Sequence, residues 1–261
     1  MSGTYTHGHH ESVLRSHMWR TAANSAGYLL PHLSSGDTLL DVGCGPGTIT
    51  ADLAALVGPG LVVGIDASAE VISAASSAYP DVEFATGDVY ALEAKAASFD
   101  VVHAHQVLQH LADPVAALVE MRRVVRTDGV VAVRDSIYSS AAWAPEDPLL
   151  TRWNELYHDV ARRNGGEPGA GSRLIGWARA AGFSEVVASS STWTYSEPAD
   201  RAWWGGLWAD RMTVSAIAEQ AVAEGMATAD ELEAIAEAFR NWADQPDGIW
   251  IVVSGEILAR R

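Results

Sequence analysis

From residue 38 onward the chain repeats one rhythm, and that rhythm leaves few folds open. Apolar runs of four to six residues alternate with helical patterns of ten to fifteen. Thr38 to Val42, Leu61 to Asp66, Val82 to Ala85, Phe99 to Ala104 and Gly129 to Arg134 read as buried strands. Between them, Gly47 to Val57 shows Ile49, Leu53 and Leu56 on one helical face, stopped by Gly58-Pro59-Gly60. Ser68 caps a helix bearing Val71, Ile72, Ala75 and Tyr79, which Pro80 ends, and Asp113-Pro114 opens another. Continuously apolar strands are buried on both faces, so the pattern specifies right-handed βαβ units and a parallel sheet covered by helices.

The flanks differ. Residues 1–37 are polar and rich in histidine, with a helix or two predicted over Ser12 to Leu30, and read as an N-terminal helical cover. Residues 38–261 read as one domain with two insertions: an irregular one at 137–171 and a mostly helical one at 197–247. The last helix of the second begins at the capping box Thr228-Ala229-Asp230-Glu231. A helix around Leu174, Trp177 and Ala178 closes at Gly182-Phe183, and Glu185 to Ser191 and Gly248 to Leu258 read as two further strands.

Composition narrows the class. No apolar run approaches a membrane span, and no basic-then-apolar leader precedes a cleavage site. Cys44 is the only cysteine, so an internal disulfide is impossible and a reducing cytoplasm is the expected compartment. A net charge of -16 argues against nucleic acid as partner. A homo-oligomer is compatible with everything above.

Asp41-Val42-Gly43-Cys44-Gly45-Pro46-Gly47 lies where the first strand feeds the first helix. Glycines there allow positive φ, let a ligand lie against bare backbone and let the helix start close to the strand. Asp66 ends the second strand, placed to accept both hydroxyl protons of a ribose; its plainer reading is a cap for the Ser68 helix. Asp88 follows the third strand and suits an exocyclic adenine amine, or is a turn acid. The turn reads G-x-G-x-G, and Asp41 beside it would repel a pyrophosphate but suit an ammonium or sulfonium.

Together Leu39 to Gly47, Gly64-Ile65-Asp66, Gly87-Asp88-Val89 and Phe99 to Val102 resemble the ordered motifs of class I S-adenosylmethionine-dependent methyltransferases. Leu108 to Pro114 and Met121 to Gly129 resemble the ubiquinone/menaquinone-biosynthesis type, and the match spans residues 38–136. The resemblance implies a Rossmann-like, seven-stranded, mostly parallel sheet with its last strand antiparallel. It implies that Gly43, Gly45 and Gly47 face the methionine part of the cofactor, that Asp66 holds the ribose, and that Asp88 and Val89 border adenine. It implies that His105 and Gln106 border the amino-acid end, although the family usually has a small residue or serine in place of His105. Asp41, Cys44, Ala67 and Gly87 complete this cofactor set, and Arg20 is a candidate for the cofactor carboxylate from the N-terminal cover. Cys44 reads as a packing residue and not a nucleophile.

Methyl transfer is an in-line displacement that needs alignment and, for a hydroxyl, ammonium or acidic carbon acceptor, a base. His105, His110, Asp135 and Tyr138 follow the fourth and fifth strands and are the candidates. His103 reads as a core residue, and His7-Gly8-His9-His10 as a solvated or covering segment and not a metal site. Nine of the ten tryptophans follow residue 140, in and around both insertions. Most read as glue between cap and sheet and a few as the wall of an apolar acceptor pocket. The expected activity is methyl transfer to a small, largely apolar or aromatic metabolite. A nicotinamide-dependent oxidoreductase, which NAD(P) and not S-adenosylhomocysteine would protect, and a non-catalytic methyltransferase-like binding protein, which would turn over no acceptor, are the alternatives.

Overall fold

A computed structural model describes residues 19–58 and 62–261. The parallel half consists of strands β1 (Leu39–Val42), β2 (Val62–Asp66), β3 (Glu83–Thr86), β4 (Phe99–His105) and β5 (Val125–Ser136). Helices α2 (Thr48–Val57), α3 (Ala69–Ala78) and α4 (Pro114–Val124) connect them, after a short α1 (Ala22–Ser25). The C-terminal half adds β6 (Ala142–Ala144), α5 (Pro148–Arg163), α6 (Leu174–Ala180), β7 (Glu185–Tyr195), α7 (Pro198–Val214), α8 (Ala216–Ala223), α9 (Ala229–Ala243) and β8 (Ile249–Arg260).

The sheet runs β3-β2-β1-β4-β5-β8, parallel up to β5; β8 pairs antiparallel with β5. β7 lies on the far edge of β8, and the short β6 continues the β5 edge of β8 beyond the end of β5. This is the expected Rossmann-like sheet with one strand reversed, enlarged from seven strands to eight by β6. Every residue of β1 is buried, as a strand covered on both faces requires. Leu39, Val101, Val130 and Ala132 face Ala22, Ala26, Leu29, Ile49 and Leu53 on one side. Leu40, Val102, Ala104 and Val133 face Leu118, Met121, Leu174 and Phe183 on the other. The caps form as the sequence specifies: Ser68, Asp113 and Thr228 each accept from a first-turn amide.

One expectation is narrowed and one corrected. Of the helix or two expected over Ser12 to Leu30, the described part from Trp19 holds the short α1, a turn through Gly27 and a 3-10 turn, Leu30–His32, with Pro31 inside it. The histidine cluster at 7–10 lies outside the described residues. The stretch 137–171 is not irregular: Asp147 caps α5, Pro148 occupies its first turn, and Leu150, Trp153, Leu156, Tyr157 and Val160 are buried along one face. That face joins α7, α8 and α9 in an aromatic core that packs on β8 through Trp250 and Val252.

Candidate active site

The glycine turn is fixed by its own backbone. Gly43 and Cys44 both donate to the carbonyl of Ile65 at 2.7 and 2.9 Å, which ties the turn to β2. Gly43, Gly45 and Gly47 have φ of +70, +55 and +83°, a region that side chains with a Cβ rarely enter. A Cβ on Gly43 would stand 2.4 Å from Val107 Cγ2, and one on Gly47 would stand 2.6 Å from Phe84 Cζ. At these two positions the missing side chain makes room for a neighbour within the protein, not only for a ligand.

Asp41 lies under this turn, 2% exposed. Its Oδ1 is 2.7 Å from His103 Nδ1, and its Oδ2 accepts the Thr50 hydroxyl at 2.6 Å. Read from sequence as an acid presented to a sulfonium, it instead has both oxygens held by core side chains and locks β1, β4 and α2 together. His103 is fully buried, as read. Burial and the charges of Asp41 and Asp66 push the Cys44 thiol well above its ordinary range, so it stays protonated.

Asp66 is half-buried at the end of β2. Its Oδ2 accepts from the Gly45 amide at 3.2 Å and its Oδ1 from the Ser68 amide at 3.0 Å. Each carboxylate oxygen has a second lone-pair direction, so this bracing leaves capacity for hydroxyl donors. Gly87 donates to the Asp66 carbonyl at 3.0 Å, which brings Asp88 beside it. Ala67 and Asp88 are exposed, Val89 half-buried, and Asp88 Oδ1 accepts from the Tyr90 amide at 2.9 Å.

At the next strand ends, His105 and Gln106 are 6% and 8% exposed. Gln106 has φ of +55°, donates its amide to the Arg134 carbonyl at 2.7 Å, and donates Nε2 to Ser136 Oγ at 2.5 Å. Arg20 Nη2 donates to Gln106 Oε1 at 2.5 Å, so the N-terminal segment reaches the end of β4. His105, Arg20 and Arg134 all gather on Trp193, with the Arg134 guanidinium 4.4 Å from the ring centre. Arg134 is fully buried, donates to Ser191 Oγ and pairs with Glu256. Sequence reading missed Arg134, Ser136, Trp193 and Glu256 here. The signal in β5 was legible: Ala132, Arg134 and Ser136 alternate on one face, and two of them are polar in a strand buried on both sides.

The candidate bases have different places. Asp135 is fully buried on the opposite face of β5, and its Oδ1 accepts from the Gln109 amide at 3.1 Å. It therefore anchors the 3-10 turn Leu108–His110. Burial raises its carboxyl to about 7 against the opposing pull of the Gln109 and Leu108 amides and of Arg134 and Arg20. His110 follows on that turn, its Nε2 3.0 Å from Gln109 Nε2. Burial, then Arg20 and Arg211, push it down to about 3. It is thus not an ordinary imidazole but one kept neutral by burial among cations. Tyr138 is buried, its phenol raised by burial and partly lowered by Arg211 and Arg20. Its ring centre is 4.6 Å from that of Tyr157 and 6.3 Å from that of Trp208.

The tryptophans are mainly core. Trp153, Trp208 and Trp250 are fully buried, and Trp153 meets the other two edge-on at 4.5 and 5.3 Å. Gly205 serves close helix approach: a Cβ there would stand 2.7 Å from the Phe239 carbonyl of α9. Trp19, Trp193 and Trp203 form the edge of this core beside His105, with Trp19 at 5.4 and 5.5 Å from the other two.

A family model described as "Methyltransferase domain" matches residues 33–191. An uncharacterized methyltransferase of Schizosaccharomyces pombe is 32% identical over 98% of this chain and 96% of its own length. A trans-aconitate 2-methyltransferase of Azoarcus sp. is 40% identical over 39% of this chain and 40% of its own. Among solved structures, a Haemonchus contortus phosphoethanolamine N-methyltransferase in complex with S-adenosylhomocysteine superposes with a TM-score of 0.54 at 15% identity, over 88% of this chain and 50% of that one.

Proposed function

This chain belongs to the class I S-adenosylmethionine-dependent methyltransferase family, and we propose that it methylates a small-molecule acceptor held between the ends of β4 and β5 and the helix α7. The observation that carries this reading is the pair of acids Asp66 and Asp88 at adjacent strand ends, beside a backbone turn pinned to β2. The donor set fits the cofactor. Asp66 would hold the ribose hydroxyls and Asp88 the adenine amine, with Ala67, Gly87 and Val89 around the nucleoside. The turn Gly43, Cys44, Gly45 and Gly47 would face the methionine part, supported from below by Asp41. Arg20, fixed on Gln106 and flanked by His105, would supply the charge for the amino-acid carboxylate.

S-adenosylmethionine, when bound, supplies a methyl group on a sulfonium, electrophilic enough to need no acid at the leaving sulfur. The chain's own contribution is alignment, which supplies several kcal/mol in such a displacement. The N-terminal cover, in its described residues 19–37, would lie over the site, and the insertions 137–171 and 197–247 would cap it. Asp135 positions His110, and His105 is the group placed to receive an acceptor proton, while His110, a weak base at about 3, and Tyr138, kept as the phenol, would orient the acceptor by hydrogen bonds. Tyr138 with Tyr157 and Trp208, packed at steep angles to one another, would offer an aromatic wall for the acceptor's carbon frame.

Calorimetric titration with S-adenosylhomocysteine tests the reading. The wild type is expected to bind, and Asp66→Ala to bind about 10- to 100-fold more weakly, the cost of losing hydrogen bonds to a charged group. A folded wild type that does not bind, or a variant of unchanged affinity, sinks the assignment.

A further inference from the structure

We infer that the acceptor carries an anionic group, a carboxylate in the plainest case, and that Arg211 of α7 holds it. This rests on the methyl-transfer reading and names the acceptor class within it.

The inner face of α7 carries Arg201, Trp204, Trp208 and Arg211, all buried: 6%, 4%, 0% and 4% exposed. Their spacing of three, four and three residues aligns them along one side of the helix. Burying a guanidinium is costly unless charge or hydrogen bonds compensate it, and neither arginine of this face is without partners. Those of Arg201 are structural. It donates to the Ala243 and Ser196 carbonyls and ties the start of α7 to the end of α9.

Arg211 stands at the other end of that face. Its guanidinium carbon is 4.9 Å from the centre of the Trp208 ring. That ring lies 6.3 Å from Tyr138 and 5.6 Å from Tyr157. The cation is therefore seated on an aromatic floor beside the residue that follows β5, where an acceptor must lie to face the cofactor. Arg20 arrives from the N-terminal side at Gln106 and Trp193, at the end of β4. The charges of both arginines reach the same three side chains, His110, Tyr138 and Tyr195. Whatever else each arginine touches, an anion placed between them gains from both in a water-poor setting, where planar guanidinium–carboxylate pairing is strong. A neutral acceptor gains from neither. The aromatic floor suits the carbon frame of such an acid, and Arg211 would fix its orientation.

The test uses the full chain saturated with S-adenosylhomocysteine and titrated calorimetrically with trans-aconitate, with cinnamate and with cinnamamide, the neutral isostere of cinnamate. At least one acid is expected to bind, and cinnamate at least tenfold more tightly than cinnamamide. Arg211→Gln is expected to bring cinnamate and cinnamamide within about twofold of each other, with S-adenosylhomocysteine affinity unchanged. Arg211→Lys, which keeps the charge without the planar fork, is expected to retain a reduced preference and guards against a Gln variant that does not fold. Equal binding of acid and amide overturns the inference, as does undiminished discrimination in Arg211→Gln or no binding by either acid while S-adenosylhomocysteine binds. Failure of S-adenosylhomocysteine itself to bind would sink the methyl-transfer reading instead.

Discussion

Gly255→Ala is expected to cost the protein at least about 3 kcal/mol, because the added methyl group meets only backbone. Gly255 sits in β8 opposite Asp135 of β5. A Cβ built there stands 2.1 Å from the Gly171 carbonyl oxygen and 2.6 Å from its carbon. The crowding is mutual: a Cβ on Gly171 would be 2.3 Å from the Asp135 carbonyl oxygen and 2.7 Å from the Gly255 nitrogen. Three chain segments thus cross where no side chain can swing aside. Two of them are sheet strands, and the third is the 3-10 turn Ala170–Ser172. Moving any of them disturbs Asp135, and through it the turn that carries His110. In a chain of this length the cost corresponds to a drop in Tm of roughly 6–12 °C. Gly206→Ala is the control. It lies in mid-α7 with nothing within 4 Å of a built Cβ, so helix propensity alone acts, and the change is expected to stabilise by up to about 1 kcal/mol. Chemical denaturation of both variants decides the matter; a Gly255→Ala protein within about 1 kcal/mol of wild type contradicts this account of the crossing.

The parallel half of the fold was legible because its determinants are local. Apolar runs of strand length, the caps Ser68 and Asp113, and the glycines of the turn each act within a few residues of themselves. β5 and β7 extend beyond their apolar stretches, to Ser136 and to Tyr195, because pairing with β8 holds polar residues in the ladder. Helix α5 starts at Asp147-Pro148 just as α4 starts at Asp113-Pro114, but its stripe from Leu150 to Val160 has a core to face only once α7, α8 and α9 fold against it.

The site was legible only where one segment supplies it. The turn and the strand-end acids Asp66 and Asp88 fall within short motifs. The meeting of His105 with Arg134, and of Arg134 with Glu256, depends on the register of strands far apart in sequence. Arg211 reaches the same region only because α7 folds back over the sheet. The tryptophans show a related limit. Composition marks them as aromatic surface, but only tertiary packing puts Trp153 at the centre of the buried cluster and Trp193 at its edge, against His105 at the strand ends.

Removing either His110 or Asp135 is expected to give stability profiles that tilt in opposite directions between about pH 4 and pH 6.5. His110 is held at about 3 against its ordinary 6.5. Between those values the unfolded chain binds a proton that the folded chain refuses, so stability rises with pH up to 6.5 and is level above it. Asp135 is held at about 7 against its ordinary 3.8. There the folded chain keeps a proton that the unfolded chain releases, so its contribution is whole below 3.8 and is lost as pH rises through about 7. Each slope approaches about 1.4 kcal/mol per pH unit at most, and across the shared window the two nearly cancel in the wild type. His110→Asn leaves the Asp135 slope uncovered, so that variant weakens relative to wild type as pH rises from 4 to 6.5. Asp135→Asn keeps an oxygen for the Gln109 amide but loses the titration, and that variant strengthens relative to wild type over the same range. The divergence between the two variants is expected to be on the order of a few kcal/mol, read from urea unfolding at several pH values. Each profile is referred to wild type so that the other carboxylates drop out; profiles that stay parallel to wild type would show that neither group is held away from its ordinary titration.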